Sequence, residues 1–253
     1  MIKIRRACLV LLPFFLVACV AVPKKKIDTQ KAVDARVAAG LEYMKVKNPG
    51  AAREHLSRAL VLNDKSPEAQ NAMALLYQYE GDVENEERHY KKAISADKHF
   101  APAHNNYGVL LFGQKRYEDA LKQFYDAANN QSYGGRGQAL ENIGRTYVEL
   151  KKPTEAKEAF NKALRLAPNL TAPLLELAKL YYKEGDVSLA DKYYSSYISR
   201  TKAQSAEALW LGIRIAADTK QNDRISSYEL ALQKLYPNSP EFRAWTKWKG
   251  ASK

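Results

Sequence analysis

Four histidines, two cysteines and some adjacent carboxylates are what a metal site or a nucleophile could draw on in this chain of 253 residues. His99 and His104 lie five apart across a join that holds Pro102, with no cysteine or acid at ligand spacing. A zinc-type site needs three or four converging donors, and His55 and His89 do not supply them. Glu86 and Glu87 are neighbours on an expected helix and point apart, which makes them poor acid–base partners. No Gly-x-Ser-x-Gly elbow occurs. The glycine-rich stretch from Gln131 to Gly137 lacks the Gly-Lys-Ser/Thr ending of a phosphate loop and reads as a loosened turn. Cys8 and Cys19 sit at the extreme N-terminus, so the folded part has no disulfide framework. The expectation is a protein that is not an enzyme and holds no metal and no cofactor.

The elements behind these residues repeat. Tyr107-Gly108, Leu111, Ala120, Phe124 and Ala127 return as Ile143-Gly144, Tyr147, Ala156, Phe160 and Ala163, and again as Leu177-Ala178, Tyr181, Ala190 and Tyr194. The small residue that marks each unit stands at Gly40, Ala74, Gly108, Gly144, Ala178 and Gly212, at steps of 34 residues with one step of 36. This pattern resembles the tetratricopeptide repeat, and it implies two antiparallel helices per unit. The expected fold is all-α: a right-handed superhelical solenoid of six repeats over residues 31–238, closed by a short capping helix within 239–253.

In that reading the small marker lets the two helices of a unit approach closely. The aromatic three positions later (Tyr43, Tyr77, Tyr147, Tyr181) fills the space between them. Glu80-Gly81-Asp82, Glu184-Gly185-Asp186 and Lys47-Asn48-Pro49-Gly50 are helix stops, and Pro67, Pro102 and Pro168 punctuate the joins. His104 takes a position where the family often has a packing tryptophan, which implies a core role. Glu86 replaces an expected alanine, and the sixth unit loses its second-helix signature around Ile225. Ser239-Pro240-Glu241 opens the cap, whose Phe242, Trp245 and Trp248 would seal the last repeat.

The N-terminus reads as an export signal. Lys3, Arg5 and Arg6 precede an apolar run from Leu9 to Val22, interrupted by Pro13 and too short to span a bilayer at about 20 residues. Leu16-Val17-Ala18-Cys19 resembles the lipobox of bacterial lipoproteins. The resemblance implies cleavage after residue 18 and lipid attachment to Cys19, with residues 19–30 as an acylated N-terminus and tether. Acyl chains at about 0.8 kcal/mol per buried CH₂ make such an anchor nearly permanent. Val20, where an aspartate would signal inner-membrane retention, implies the periplasmic face of the outer membrane of a Gram-negative bacterium.

The formal charge is +12, to which Lys3, Arg5 and Arg6 of the leader contribute three. Lysines are spread over every repeat, and no arginine cluster interleaves with aromatics as nucleic-acid grooves require. The expected partner is a protein, held on the concave face that the first helices line. One and four positions after each marker, and three before it, should face that groove. These are Val37, Leu41 and Met44 in the first repeat, Asn71, Leu75 and Gln78 in the second, Asn105, Val109 and Phe112 in the third, and Glu141, Arg145 and Val148 in the fourth.

Lipobox, six repeats and small cap together resemble the type IV pilus pilotin family, PilF or PilW. The resemblance covers the whole chain. It implies that the protein binds a subunit of the secretin, the outer-membrane ring through which the pilus passes. It would ride the lipoprotein-sorting machinery and promote secretin localisation and multimerisation, on which pili and twitching motility would depend. Two other readings stay open on the residues: a lipid-anchored adaptor that recruits a peptidase or cell-wall enzyme, and a basic surface that engages peptidoglycan or another anionic polymer.

Overall fold

The same turn is built six times. In each unit the first helix ends on a residue in the left-handed region, whose N–H bonds the carbonyl three back while the next N–H bonds the carbonyl five back, as in Gly81 to Gln78 and Asp82 to Tyr77. This pairing satisfies two carbonyls that a helix end leaves orphaned. The left-handed residue is glycine at Gly81 and Gly185 but lysine at Lys47, Lys115, Lys151 and Lys220, with φ between 56° and 61°. In the first unit Lys47, not Gly50, takes the special backbone, and Gly50 lies in the first turn of the next helix.

A computed structural model describes residues 28–251. Among them the helices are α1 (Thr29–Lys45), α2 (Pro49–Leu62), α3 (Pro67–Glu80), α4 (Val83–Ala96), α5 (Ala101–Gly113), α6 (Tyr117–Asn129) and α7 (Arg136–Glu149). There follow α8 (Pro153–Leu166), α9 (Ala172–Lys183), α10 (Val187–Ile198), α11 (Ala206–Asp218), α12 (Asn222–Leu235) and α13 (Pro240–Ala251). No strand occurs among the described residues. The chain is an all-α solenoid of six helical hairpins plus a capping helix. The leader, the lipobox and Cys19 lie outside the described residues. Helix α1 starts at Thr29, capped by the Asp28 carboxylate on the Lys31 N–H, so helix begins inside the segment expected as tether.

The odd-numbered helices α1 to α11 touch one another in succession and form a continuous inner layer. The even-numbered helices α2 to α10 pack on their own hairpin partner and on the next inner helix, leaving clefts on the outside.

What fills each hairpin differs from the sequence expectation. Tyr43 is 38% exposed and stacks on His55; Tyr77, Tyr147 and Tyr181 are half-buried at the hairpin edge. The space is filled instead from the second helix, by the residue sixteen after the marker: Leu56, Tyr90, Phe124, Phe160 and Tyr194, all fully buried. This accounts for the glycines. A Cβ on Gly108 would come within 2.6 Å of the Phe124 ring, and one on Gly144 within 2.5 Å of Phe160. At Gly212 the intruder is Tyr194 of the preceding unit, whose hydroxyl donates to the Ala208 carbonyl. The Tyr90 hydroxyl is buried too but has no hydrogen-bond partner among the described residues. Tyr194→Phe is therefore expected to cost about 1 kcal/mol in chemical denaturation, whereas Tyr90→Phe should cost nothing or stabilise.

Two departures from the consensus have local accommodations. Glu86 is buried and accepts from the Gln78 amide, and its burial raises its carboxyl above the ordinary range. Helix α12 forms although only Leu232 of it is fully buried; α13 completes the end by placing Trp245 against Leu209, Ile213 and Leu232. The Trp245 indole N–H donates to Glu229. Gly137, expected in a turn, is inside α7, where a Cβ would meet Ala167 at 2.5 Å.

Candidate functional site: the inner groove

Of the twelve positions expected to face the groove, the structure opens some and closes others. Val37 is buried in the core with Val33, Leu56 and Met73. Asn105 is buried and accepts from the Asn142 amide at 3.2 Å. Glu141 is buried as well, and its carboxyl is raised, chiefly by burial. All three lie three residues before their marker, where successive inner helices press together and shut the position off from solvent.

The positions one after the marker form the strip that does face inward: Leu41 and Leu75 half-buried, Val109 42% exposed, and Arg145 exposed. The positions four after are Met44, Phe112 and Val148, half-buried, and Gln78, whose amide is engaged by Glu86. Asn71 is half-buried and accepts from the Asn106 amide at 3.1 Å. The groove wall is therefore apolar along its first three repeats and becomes charged at the fourth.

A recess of the groove lies between α5 and α7. Val109, Phe112, Gly113 and Arg145 surround a cavity of about 190 Å³ floored by Phe124 and Asn142. The Arg145 guanidinium lies 5.4 Å from the Phe112 ring centre, a cation–π contact that holds it while leaving its donors open. No ion pair engages Arg145 among the described residues. The cavity is the size of one large apolar side chain, with a carboxylate-binding group at its rim.

Sequence reasoning missed two constellations. One is a polar pair between the helices of a hairpin: Arg36–His55, Gln70–His89 and His104–Gln123, each nineteen residues apart and stepping by one repeat. That common interval was available as a signal. These pairs tie the hairpins and explain why His104 is buried, with its Nε2 at 3.0 Å from the Lys98 carbonyl. The other is an aromatic–cation cluster at the far end, where Arg214 lies 4.9 Å from the Tyr182 ring centre and 5.3 Å from that of Trp210. Trp210 and Arg214 stand four apart on one face of α11, but Tyr182 joins them from α9 of the preceding repeat, and no short interval announces that.

His89 carries a pH prediction. Burial, with help from Lys92, Arg88 and Arg53, pushes its imidazole from 6.5 down to about 4, and its Nδ1–H donates to the side-chain Oε1 of Gln70 at 2.7 Å. The depressed native value means that the stabilisation is complete above about pH 6.5 and is lost as pH falls toward 4. Across that window the protein should lose on the order of 2–3 kcal/mol that a His89→Gln variant keeps, measured by denaturant unfolding at each pH.

Among the described residues no group of three or more His, Cys, Asp or Glu could hold a metal ion, and no helix is long and apolar enough to cross a membrane.

Tetratricopeptide repeats match residues 67–100 and 100–169. The type IV pilus assembly protein PilF of Pseudomonas aeruginosa is 36% identical over 245 residues, covering 95% of this chain and 97% of the relative. The solved structure of Pseudomonas aeruginosa PilF superposes with a TM-score of 0.84 over 87% of this chain and 98% of that one. The crystal structure of PilW, a type IV pilus biogenesis factor, superposes with a TM-score of 0.74 at 25% identity, covering 85% of this chain and 99% of that one.

Proposed function

The chain belongs to the family of the type IV pilus assembly protein PilF, and from that premise we propose that it serves type IV pilus biogenesis as a lipid-anchored scaffold. Membership supports a role in pilus biogenesis through protein partners. The finer reading is ours. Cys19 carries the lipid, the body faces the periplasm from the outer membrane, and the inner groove holds a secretin subunit through delivery and multimerisation. Palmitate or another acyl chain on Cys19 and a ride on the lipoprotein-sorting route belong to the same reading, as does a dependence of twitching motility on the protein. The scaffold does this work by holding surfaces together, with no bond made or broken.

The observation that carries the proposal is the extent of the likeness. It runs over 95% of the chain, whereas the generic repeat matches fall between residues 67 and 169. The open apolar strip ending at Arg145 supports a polypeptide occupant.

The test is deletion of the gene, with secretin multimers assayed in outer-membrane fractions and pili counted. Multimers and pili should be lost on deletion and restored by the wild-type gene. Cys19→Ser should fail to restore them and should leave both this protein and the secretin outside the outer-membrane fraction. Unchanged multimers in the deletion strain reject the proposal; recovery of a peptidase on crosslinking, with multimers intact, favours the adaptor instead.

A further inference from the structure

Charge on the outside of the solenoid is not spread as the composition suggests. Residues 28–251 hold 33 Lys and Arg against 28 Asp and Glu, an excess of five. Three outer clefts, between α2 and α4, α4 and α6, and α6 and α8, are lined by eight cationic side chains against four carboxylates. Most of the excess therefore sits in these three places.

Elsewhere, cations are neutralised across repeat boundaries. Arg53 pairs with Glu80, Lys157 with Glu184, Lys179 with Glu207, Arg224 with Asp191. In the clefts, Lys65, Lys92, Lys98, Lys122, Lys162 and Arg165 make no ion pair among the described residues. Cations gathered without partners in recesses of low-dielectric wall raise the local potential and draw anions.

The clefts also join. They measure about 480, 830 and 540 Å³ in order along the solenoid. Ser95 lines both the first and the second, and Asn129 lines both the second and the third. These residues are 34 apart, one repeat, so the same position of successive outer helices bridges each cleft to the next. The result is a track that crosses the outer helices.

We propose that this track binds a carboxylate-bearing glycan strand of the cell-wall type. A flexible strand laid along the track meets the exposed cations of all three clefts in turn, whereas a flat bilayer would touch a convex surface over only part of that length. Between the cations stand groups suited to sugars. Ser95 and Asn129 can bond hydroxyls, and Tyr125, 40% exposed, offers a ring edge and a phenol in the third cleft. The proposal does not depend on the inner groove, which opens on the opposite side.

The experiment is co-sedimentation of the full-length mature protein with isolated peptidoglycan sacculi. Wild type should sediment with sacculi, less so as salt rises past the point where the screening length falls to about 10 Å, and should not sediment with sacculi whose carboxylates have been amidated. Lys98→Glu with Lys122→Glu should weaken binding at least tenfold, and the milder Lys98→Gln with Lys122→Gln should weaken it by less. Lys47→Glu with Lys220→Glu changes net charge equally on the turn edge and should bind as wild type. Circular dichroism of each variant separates lost binding from lost fold. Equal loss in the turn-edge pair, undiminished binding by the cleft pairs, or preferential uptake on phosphatidylglycerol vesicles over sacculi overturns the proposal. Secretin multimers measured with the cleft variants should be unchanged, so a failure here is distinct from a failure of the groove reading.

Discussion

Phe124→Ala should remove about 3–5 kcal/mol of stability, the range for deleting a large, fully buried aromatic. Phe124 is 1% exposed and belongs to a cluster that runs from Ala74 to Ala159, so it serves three repeats at once. The vacated ring also loses its contact with Gly108, the residue whose missing Cβ lets α5 and α6 close on each other. The reverse intrusion, Gly108→Leu, should cost a comparable amount by overpacking, because the displaced atoms belong to a ring already surrounded. If the two positions are one lock, Gly108→Ala should be far less harmful when Phe124 is first cut back to leucine, and a double-mutant cycle should show coupling above about 0.5 kcal/mol. Urea denaturation followed by circular dichroism measures all of these. Additive losses would show that the glycine is there for some reason other than the ring. Each repeat contacts mainly its neighbours, so a central defect is also expected to split the unfolding transition, while wild type unfolds more cooperatively.

The same lock shows what could be read from the sequence and what could not. A small residue recurring at one step demands a large partner. Tyr43, Tyr77, Tyr147 and Tyr181 stand three positions on, yet the partner is the residue sixteen on, across the turn. Both positions carry aromatics in most repeats, and one-dimensional spacing does not say which of them points inward. The fold itself was legible because every repeat states it independently, and the cap because Ser239-Pro240 and the aromatics after it follow helix-start chemistry. The turns were legible where glycine marks them. Four of the six use lysine in a backbone that costs an L-residue roughly 1 kcal/mol, so composition hid them. The groove was legible in part. Counting from the marker puts Val109 and Arg145 on the groove, and both are exposed there. It puts Val37, Asn105 and Glu141 there as well, although the approach of the next inner helix buries them. That approach depends on how successive hairpins stack, a three-dimensional quantity that no single repeat encodes.

Val109→Asp combined with Arg145→Glu should abolish secretin multimers as completely as deleting the gene, with the folded protein still present at its normal level. Val109 is 42% exposed and Arg145 is exposed, so neither change empties a core. Each attacks a different part of the same site. The aspartate puts charge at the mouth of the cavity between α5 and α7, where an apolar side chain is expected to enter. The glutamate turns the one open cation of that mouth into a repelling group, next to the Phe112 ring that had held it. An exposed charge contact contributes about 1 kcal/mol and burying a valine about 1.5–3 kcal/mol, together enough to lower occupancy on the order of a hundredfold. The two halves can be separated by salt. A variant that keeps Arg145 and loses Val109 should show binding that weakens with ionic strength, because its remaining attraction is electrostatic. The variant that keeps Val109 should bind more tightly as salt rises, because screening relieves the repulsion that its glutamate introduces. If the double variant restores multimers to a deletion strain, the inner groove between the third and fourth repeats is not where the client sits. The open apolar strip nearer the N-terminus, at Leu41 and Leu75, then becomes the surface to alter.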